Sequence, residues 1–484
     1  MPQRPIRFRT TTPVPAHAEI DQAALLARFE AIREQLHVTA QFPDGVLAEA
    51  ERAAHDVVLP TRDETAVPFV TIDPVGSMDL DQALHIQRDG DGYRVRYAIA
   101  DVPAFVAPGG ALDAETRRRV ETIYCPDART PLHPPAIGEG AGSLLPNQVR
   151  PAFVWDLHLE ADGNETGAQV YLAVVRSTAR LDYGGVQKAV DDGTADEVLL
   201  LLKEVGEKRI ALEAARGGAS LPLPEQEVDQ DDQGHFVLGF RPPVPAEDWN
   251  AQISLMTGMA AAQMMLRGKV GILRTMPPPD QGAVGRFRRQ ARSLGVDWPK
   301  AERYGDVIRR LDLTDPRHLA LVHEATALFR GAGYTAFDGQ VPQQQEHAAV
   351  AAPYAHVTAP LRRLVDRFGL VVCAALTSGE EVPAWAREAL PGLPETMKAG
   401  DARAKSVERA CTDAVEAAVM ASRVGETFNA DVIDIDPKRS GVTVQLLDPA
   451  IVARAKGDAE LGAQVRVRLD AADVATGTIA LTVV

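Results

Sequence analysis

The sequence of 484 residues predicts an α+β protein built of three parts, and three observations support this. Residues 22–36 and 46–54 carry apolar side chains at helical spacing. From Pro68 onward the pattern changes to short alternating strands and then to long helices. The final stretch of the chain returns to short strands separated by turn residues. We therefore expect a small helical N-terminal domain over 1–65, a large mixed domain over 66–422 and a C-terminal barrel over 423–484.

The N-terminal domain is expected to be helical beyond an irregular, Pro- and Thr-rich stretch at 1–18. Five apolar residues share one face of its first helix: Leu25, Leu26, Phe29, Ile32 and Leu36. A three-helix bundle and a winged-helix arrangement both fit this pattern.

The mixed domain is expected to begin with hairpins and to continue with helices. The segments Asp89-Gly90-Asp91-Gly92 and Ala161-Asp162-Gly163-Asn164 are typical hairpin turns. Strands are expected at 69–72, 84–88, 93–100, 155–159 and 169–175. Helices are expected at 194–215, 248–267, 282–293, 316–330, 361–378 and 397–424.

The C-terminal part is expected to form a barrel. Strands are expected at 428–435, 442–447, 464–469 and 476–483. Five short strands in a segment of this length, of which these are four, are typical of a small OB-type barrel.

The formal net charge of −16 argues weakly against a nucleic-acid binder, because such proteins usually carry a basic surface. Three arginine clusters can still provide local positive charge, so we expect RNA, if bound, to follow a deep basic path. The alternative for the first two clusters is a solvated helix face. The clusters are 117–119, 286–292 (Arg286, Arg288, Arg289 and Arg292) and 362–363.

The three cysteines, Cys125, Cys373 and Cys411, are far apart and form no CxxC pair. Neither a zinc site nor a disulfide framework is therefore indicated, and we expect a cytoplasmic protein. The N-terminal residues lack a hydrophobic signal core, and no apolar run is long enough to cross a membrane.

The stretch T-I-D-P-V-G-S-M-D-L-D-Q-A at 71–83 carries three aspartates, Asp73, Asp79 and Asp81. Asp73 follows a strand and precedes a turn, and Asp79 and Asp81 are two apart, so they point the same way in an extended segment. Converging carboxylates repel one another, and a hard divalent cation relieves that repulsion. The alternatives are a calcium-binding loop or a merely solvated acidic loop.

A second stretch, Y-A-H-V-T-A-P-L-R-R at 354–363, is expected to open a helix at Pro360, with Thr358 as its cap. Arg362 and Arg363 then lie in its early turns, where a guanidinium can grip a phosphate. The alternative is a surface helix with ordinary salt bridges.

Together these stretches resemble the catalytic domain of the ribonuclease II (RNB) family, whose motifs are T-I-D-x-x-x-x-x-D-x-D-D-A and Y-x-x-x-T-S-P-I-R-R. Further landmarks follow in the family's order: A-I-A-D-V at 98–102, Tyr124, S-L-L-P at 143–146, Arg150 and A-R-L-D-Y at 179–183. The resemblance covers residues 66–380. It implies an RNB-type catalytic domain, and the C-terminal barrel matches the RNA-binding OB domain that ends many members.

The resemblance also implies a site. Asp73, Asp79 and Asp81, with Gln82, would bind Mg²⁺, with Mn²⁺ as an alternative. Asp81 matches the carboxylate most closely tied to catalysis, and Arg362 would stabilise the scissile phosphate.

Four further residues are assigned to RNA binding by the same comparison. Tyr124 and Tyr183 match aromatic positions that stack on bases, with Tyr124 limiting the product length and Tyr183 clamping the 3′-terminal nucleotide. Arg363 and Gln252 complete the set.

The sequence departs from the family pattern at several positions. Gln82 replaces the last aspartate of D-x-D-D, which puts one metal ligand in doubt. Gln252 falls where the family has a glutamate, by a looser match. Ala359 and Leu364 are milder changes. The first 65 residues cannot hold the two cold-shock domains of many members, so we expect a more open channel that admits duplexes with a 3′ overhang.

The resemblance implies a monomeric Mg²⁺-dependent 3′→5′ exoribonuclease that hydrolyses single-stranded RNA to nucleoside 5′-monophosphates. Gln82 and Gln252 leave open a different class, an RNA-binding protein on the same fold with weak or no hydrolysis. A structural partner in RNA processing is a third alternative.

Overall fold

A computed structural model describes residues 22–219, 221, 225–230, 236–241, 244–312, 315–435, 440–447 and 449–484. The chain combines helices and strands throughout, which confirms the α+β class. The expected irregular stretch at 1–18 lies outside the described residues.

The helices agree closely with the sequence pattern. They are α1 (Gln22–Gln35), α2 (Asp44–His55), α3 (Ala111–Arg119), α4 (Tyr183–Asp191), α5 (Glu197–Arg216), α6 (Pro245–Gly268), α7 (Gln281–Ser293), α8 (Tyr304–Arg309), α9 (Pro316–Ala325), α10 (Leu364–Ser378), α11 (Ala384–Ala389) and α12 (Leu393–Ala421). Where a single helix was expected over 316–330, α9 ends at Ala325 and a 3₁₀ turn, Thr326–Phe329, follows.

The strands form two closed barrels and several two-stranded ribbons. They are β1 (Phe69–Ile72), β2 (Gln82–Asp89), β3 (Gly92–Ala100), β4 (Ile123–Tyr124), β5 (Arg129–Thr130), β6 (Val149–Leu159), β7 (Glu165–Leu181), β8 (Glu225–Gln230), β9 (Phe236–Arg241), β10 (Val270–Thr275), β11 (Gly333–Asp338), β12 (Glu346–His347), β13 (Ala352–Pro353), β14 (Thr427–Asp434), β15 (Val442–Leu447), β16 (Ala450–Lys456), β17 (Gln464–Asp473) and β18 (Thr478–Val483).

The first barrel, which we call the catalytic barrel, has the strand order β1-β2-β3-β6-β7 and closes through a parallel pairing of β1 with β7. Both predicted hairpins, β2-β3 and β6-β7, are present. At Gly92 a Cβ atom would lie 2.0 Å from the carbonyl oxygen of Leu159, so this close strand approach requires glycine. Trp155, Tyr97 and Phe368 belong to the core between the barrel and its helices.

The N-terminal helices pack on two different parts of the mixed domain. The apolar face of α1 (Leu25, Phe29 and Ile32) packs in one cluster with residues of α12, including Val407. Val46 of α2 packs instead with the catalytic barrel. Residues 22–60, all described, contain these two helices and no strand, so the winged-helix alternative gains no support there.

The C-terminal barrel has the strand order β14-β15-β16-β18-β17 and confirms the expected five-stranded OB-type barrel. Its fifth strand, β16, is the one that the sequence pattern did not locate. The barrel contacts the rest of the protein through α9 and α12.

The start of α10 differs from the prediction. The helix begins at Leu364, not at Pro360 or Leu361, and its N-cap is Arg363, not Thr358. The backbone of this segment bonds to a neighbouring stretch of chain instead: Thr122 N–H donates to the Arg362 carbonyl (3.0 Å), and Leu364 N–H donates to the Val120 carbonyl (2.9 Å). These two bonds hold Arg362 and Arg363 outside the helix, in what we call the arginine loop, residues 356–363.

Among the described residues, no helix combines the length and apolar character that a membrane crossing needs.

Candidate active site

Three aspartates lie in the connection between β1 and β2. Asp73 follows β1 directly, and its N–H donates to the carbonyl of Leu181, the last residue of β7 (3.0 Å). Asp79 and Asp81 then lead into β2. Because β1 pairs with both β2 and β7, this connection closes one end of the catalytic barrel.

Asp81 is the most buried of the three carboxylates, with 4% of its surface exposed. Its Oδ1 accepts a hydrogen bond from the Leu361 N–H (2.7 Å), and its Oδ2 lies 3.5 Å from Nε of Arg362. Burial raises the pKa of Asp81 well above its ordinary value; Arg362 and the Leu361 N–H oppose this, and Asp79 and Asp366 add to it. A buried carboxylate beside other carboxylates is a favourable place for a cation.

Arg362 faces these carboxylates from the arginine loop. Burial and the neighbouring Arg363 act to lower the pKa of Arg362. Attraction to Asp81, to the Tyr124 side chain and to Asp73 outweighs this and leaves the pKa raised. The side chain is still 34% exposed, so its remaining donors can reach a phosphate that enters the site.

Arg363 pairs with a carboxylate of the protein, and its expected contact with RNA stays a prediction. Its Nε and one terminal nitrogen each donate to Asp366 at 2.8 Å, and Asp366 is fully buried. Asp366 also accepts the Ala359 N–H (2.7 Å). The guanidinium fork is therefore filled by a carboxylate of the protein, and Arg363 anchors the arginine loop to α10.

Asp79 is held by a residue that the sequence analysis missed. Arg129 donates to Asp79 Oδ1 (2.5 Å) and also pairs with Glu139 (2.6 Å). Arg129 lies opposite Tyr124 in the β4-β5 ribbon, which places it at the site. That cross-strand position was the available signal, but two-residue strands give no recognisable pattern in sequence.

Gln82 takes part in a hydrogen-bond network at the first position of β2. Its Nε2 donates to the carbonyl of Thr358 (2.5 Å), and its Oε1 accepts from the hydroxyl of Tyr97 (2.8 Å). The Tyr97 hydroxyl also lies 2.8 Å from that of Ser254 in α6. Both ends of the Gln82 amide therefore have a partner within the protein, and its assignment as a metal ligand stays a prediction.

Tyr124 lies in β4, and Tyr183 lies at the start of α4. Tyr124 is half-buried; burial raises its pKa, nearby Asp79 adds to this, and Arg362 opposes it. Tyr183 is the first residue of α4, and its hydroxyl accepts a hydrogen bond from the amide of Asn250 (3.3 Å). Tyr124 thus lies near Asp79 and Asp81, and the stacking of both tyrosines on RNA stays a prediction.

Gln252 points towards α5, and the expectation that it binds RNA stays a prediction. Its Nε2 donates to Glu213 of α5 (2.6 Å), and its side chain is buried between α5 and α6. On the same helix, Asn250 and Ser254 are the residues that reach Tyr183 and Tyr97. A helix turns about 100° per residue, so a shift of one or two positions in a loose alignment moves an assignment to a different face.

The two other arginine clusters differ from each other. In α3, Arg117 pairs with Asp113, and Arg118 and Arg119 pair with Glu115, so each arginine of this cluster has an acidic partner on its own helix. In α7 the buried face is apolar, and three of the four arginines are exposed: Arg286, Arg289 and Arg292.

The donors at this site fit a hard divalent cation through the carboxylates of Asp73, Asp79 and Asp81, whose oxygens are the ligands that Mg²⁺ prefers. As the described side chains stand, however, no three of the His, Cys, Asp or Glu residues are grouped closely enough to hold a metal ion. Asp79 is held by Arg129 and Asp81 by Leu361. A bound cation would therefore replace part of these contacts.

Comparison with known protein families identifies this arrangement. Residues 61–373 match the model of the RNB domain, and residues 426–484 match the RNase II-type exonuclease C-terminal S1 domain. The chain belongs to the RNB, or ribonuclease II, family. The match covers the acidic connection, both tyrosines and the arginine loop.

Curated relatives carry exoribonuclease names. "Exoribonuclease 2" of Klebsiella pneumoniae (strain 342) is 26% identical over 439 residues, covering 85% of this chain and 64% of the relative. "Ribonuclease R" of Escherichia coli (strain K12) is 27% identical over 330 residues, covering 62% of this chain and 38% of the relative. This chain thus spans 64% of the length of the Exoribonuclease 2 relative.

Solved structures share the fold. Mycoplasma genitalium RNase R in complex with ribose-methylated single-stranded RNA has a TM-score of 0.85 at 18% identity, covering 95% of this chain and 78% of that chain. Yeast Ssd1, described as a pseudonuclease, has a TM-score of 0.68 at 15% identity. The match covers 89% of this chain and 56% of that chain. The RNB fold therefore occurs in a protein described as a pseudonuclease, and the chemistry has to be argued from the site.

Proposed function

We propose that this protein is a Mg²⁺-dependent 3′→5′ exoribonuclease that releases nucleoside 5′-monophosphates, with Mn²⁺ as an alternative cofactor. The observation that carries the proposal is the pairing of buried Asp81 with part-exposed Arg362 at the acidic end of the catalytic barrel. Membership of the RNB family and the names of its relatives support it.

Asp73, Asp79 and Asp81 would hold the metal ion. When bound, a divalent cation supplies Lewis acidity that activates water and stabilises a leaving oxygen. The protein itself fixes the carboxylates: Asp73 through its backbone bond to Leu181, and Asp81 through the Leu361 N–H.

Arg362 would bind the scissile phosphate. Its guanidinium is held near Asp81 and Asp73 and has exposed donors. A donor fixed before substrate arrives stabilises charge that develops in the transition state without further reorganisation.

Tyr124 and Tyr183 would stack on RNA bases, and a π face accepts any base. We keep the proposals that Tyr124 influences the final product length and that Tyr183 clamps the 3′-terminal nucleotide. Contacts to the 2′-hydroxyl would select RNA over DNA.

The proposed substrate is single-stranded RNA, with duplex RNA carrying a 3′ overhang as a second substrate. Structures of Mycoplasma genitalium RNase R include complexes with single-stranded and with double-stranded RNA. We further propose that the protein acts as a monomer in the cytoplasm.

A time course on 5′-labelled single-stranded RNA with Mg²⁺ tests the proposal. Wild-type protein should give a shortening ladder or a short end product, and Asp81→Asn should leave the RNA intact. Asp91→Asn, at the exposed β2-β3 turn, is the matched control and should behave as wild type.

The rival is a non-hydrolytic RNA-binding protein on this fold, favoured by the neutral Gln82 and by the likeness to a pseudonuclease. Wild-type protein that binds RNA yet leaves it intact at all Mg²⁺ and Mn²⁺ concentrations would establish the rival and refute the exoribonuclease.

Digestion of single-stranded RNA beside an overhang duplex tests the second substrate. Progress of cleavage into the duplex supports it, and arrest several nucleotides before the duplex contradicts it.

A further inference from the structure

The side chain of Gln82 links four separate parts of the protein. Thr358 belongs to the arginine loop, Gln82 to β2, Tyr97 to β3 and Ser254 to α6, and consecutive members of this series are hydrogen-bonded. Thr358 and Tyr97 are buried, so the two bonds that Gln82 makes are largely shielded from water.

The chemistry of this network requires an amide at position 82. The Thr358 carbonyl accepts only, so its partner must be a donor, and a carboxylate has no donor. The Tyr97 hydroxyl donates to Gln82 Oε1, and burial raises the pKa of Tyr97, which keeps this proton in place. Gln82 uses one end of its amide for each partner, and an aspartate or a glutamate at this position would leave the Thr358 carbonyl facing a negative charge.

The bond to Thr358 is one of several that fix the arginine loop next to Asp81. The Ala359 N–H donates to Asp366, and the Leu361 N–H donates to Asp81, each at 2.7 Å. Gln82 holds the loop from the side of β2, immediately after Asp81 in sequence. Arg362 follows in the same loop, so its distance from Asp81 depends on these bonds.

We propose that Gln82 is a positioning residue, which ties the arginine loop to β2 so that Arg362 stays next to Asp81, and that it is not a metal ligand. This inference rests on the proposed function for its catalytic consequence. It implies that Gln82 adds no metal ligand to the carboxylates of Asp73, Asp79 and Asp81.

Gln82→Met tests the proposal, because methionine has a similar length and makes neither hydrogen bond. Tyr97→Phe removes one bond of the network and leaves the bond to Thr358. Gln87→Met is the matched control, since Gln87 lies on the same strand and accepts a hydrogen bond from Arg96, away from the site.

Three measurements distinguish a positioning role of Gln82 from a role as a metal ligand. Hydrogen exchange of amides 356–364 should be faster in Gln82→Met, because the loop loses an anchor. The kcat on a short RNA should fall by about 10–100-fold with little change in KM, since misplacing a catalytic group by about 1 Å has an effect of that size. The Kd for Mn²⁺, titrated into RNA-free protein by calorimetry, should change by less than about twofold, a smaller effect than the loss of even an outer-shell partner of a metal ligand.

A Mn²⁺ Kd raised by about tenfold or more, with unchanged exchange of the loop amides, would make Gln82 a ligand and overturn the proposal. Unchanged exchange together with unchanged kcat would also overturn it. If wild-type protein proves inactive, exchange and Mn²⁺ binding still decide the role of Gln82, so the failure of the proposed function is distinguishable from the failure of this inference. Tyr97→Phe should show the same changes as Gln82→Met, but smaller.

Discussion

The two closed barrels of this protein have the same number of strands and very different surroundings. The catalytic barrel is covered at one end by the acidic connection and the arginine loop, and it is surrounded by long helices such as α6 and α10. The C-terminal barrel contacts α9 and α12 and exposes much of its charged surface. The strands alone therefore do not make a reactive site; the segments that close one end of a barrel do.

Burial of charge shows the difference most clearly. Asp81 is 4% exposed and faces Arg362, whereas in the C-terminal barrel the paired Arg468 and Asp470 side chains are 51% and 31% exposed. Interactions between charges are strong where water is excluded and weak at the surface. We therefore expect substitutions at the end of the catalytic barrel to have much larger effects than substitutions on the C-terminal barrel.

The largest effect is expected for Arg362→Ala. Removal of a donor aimed at the scissile phosphate should lower kcat by about 10²–10³-fold. The melting temperature should stay near that of wild type, because this side chain is one-third exposed. Arg52→Ala, an exposed arginine of α2, is the control, and a kcat for Arg362→Ala within twofold of this control would remove Arg362 from catalysis.

The neighbouring Arg363→Ala should instead destabilise the fold, by about 3–5 kcal/mol in the free energy of unfolding, because it leaves the buried Asp366 carboxylate unpaired. Urea unfolding followed by tryptophan fluorescence measures this. In the double variant with Asp366→Ala the destabilisation should be smaller than the sum of the two single effects. An Arg363→Ala protein that is as stable as wild type but binds RNA more weakly would support the prediction that Arg363 contacts RNA.

A smaller effect is expected on the C-terminal barrel. Arg466 and Arg468 point to the same face of β17 and are exposed. If this face binds RNA, Arg466→Gln with Arg468→Gln should reduce the slope of log K against log salt by about 0.7 for each RNA phosphate that is no longer neutralised. The kcat on a short RNA should be unchanged, and Arg387→Gln, on α11, is the control. An unchanged salt slope would remove this face from the RNA path.

The smallest effect is expected at the contact between α9 and the C-terminal barrel. Glu324 of α9 bonds to Asp434 of β14, and burial together with Asp434 raises the pKa of Glu324 to about 7, opposed by Gln290 and Arg286. The folded protein therefore binds this proton more tightly than the unfolded chain does. The resulting stability is fully present below the ordinary glutamate pKa and is lost as the pH rises through about 7.

Glu324→Gln should flatten the dependence of the melting temperature on pH between about 5 and 8, by about 2 °C across that range. Glu388→Gln, at an exposed position of α11, should leave the dependence unchanged. An identical pH profile for Glu324→Gln and wild type would show that the proton bound by Glu324 does not contribute to the contact between α9 and the C-terminal barrel.

Periodicity in the sequence was enough to predict the hairpins, most helices and the C-terminal barrel. Apolar and polar residues alternate along β2 and β3, and the turn at Asp89–Gly92 lies between them, a pattern that few structures other than a hairpin fit. The motifs likewise predicted that Asp81 and Arg362 belong to one site, although they are far apart in sequence.

The residues whose contacts the sequence did not predict share a physical cause, which is the direction of a side chain. Arg363 was predicted to lie within a helix. The backbone of Arg362 and Leu364 bonds to Thr122 and Val120 instead, and α10 begins only at Leu364. The guanidinium of Arg363 pairs with Asp366. Gln252 lies on the face of α6 that meets α5. Such orientations depend on tertiary neighbours that local periodicity does not encode.

The domain boundaries at 65/66 and 422/423 remain predictions. The family models match 61–373 and 426–484, and they do not assign the residues between those ranges. Helix α12 (Leu393–Ala421) packs against both α1 and strands of the C-terminal barrel.

The most direct test of the central claim is the direction of cleavage, measured on one RNA labelled in parallel preparations at its 5′ or its 3′ end. We predict that with Mg²⁺ the 3′ label appears from the earliest time points as a nucleoside monophosphate, while the 5′ label remains on progressively shorter RNA. Early appearance of the 3′ label on an oligonucleotide, or of the 5′ label on a mononucleotide, would contradict a 3′→5′ exoribonuclease.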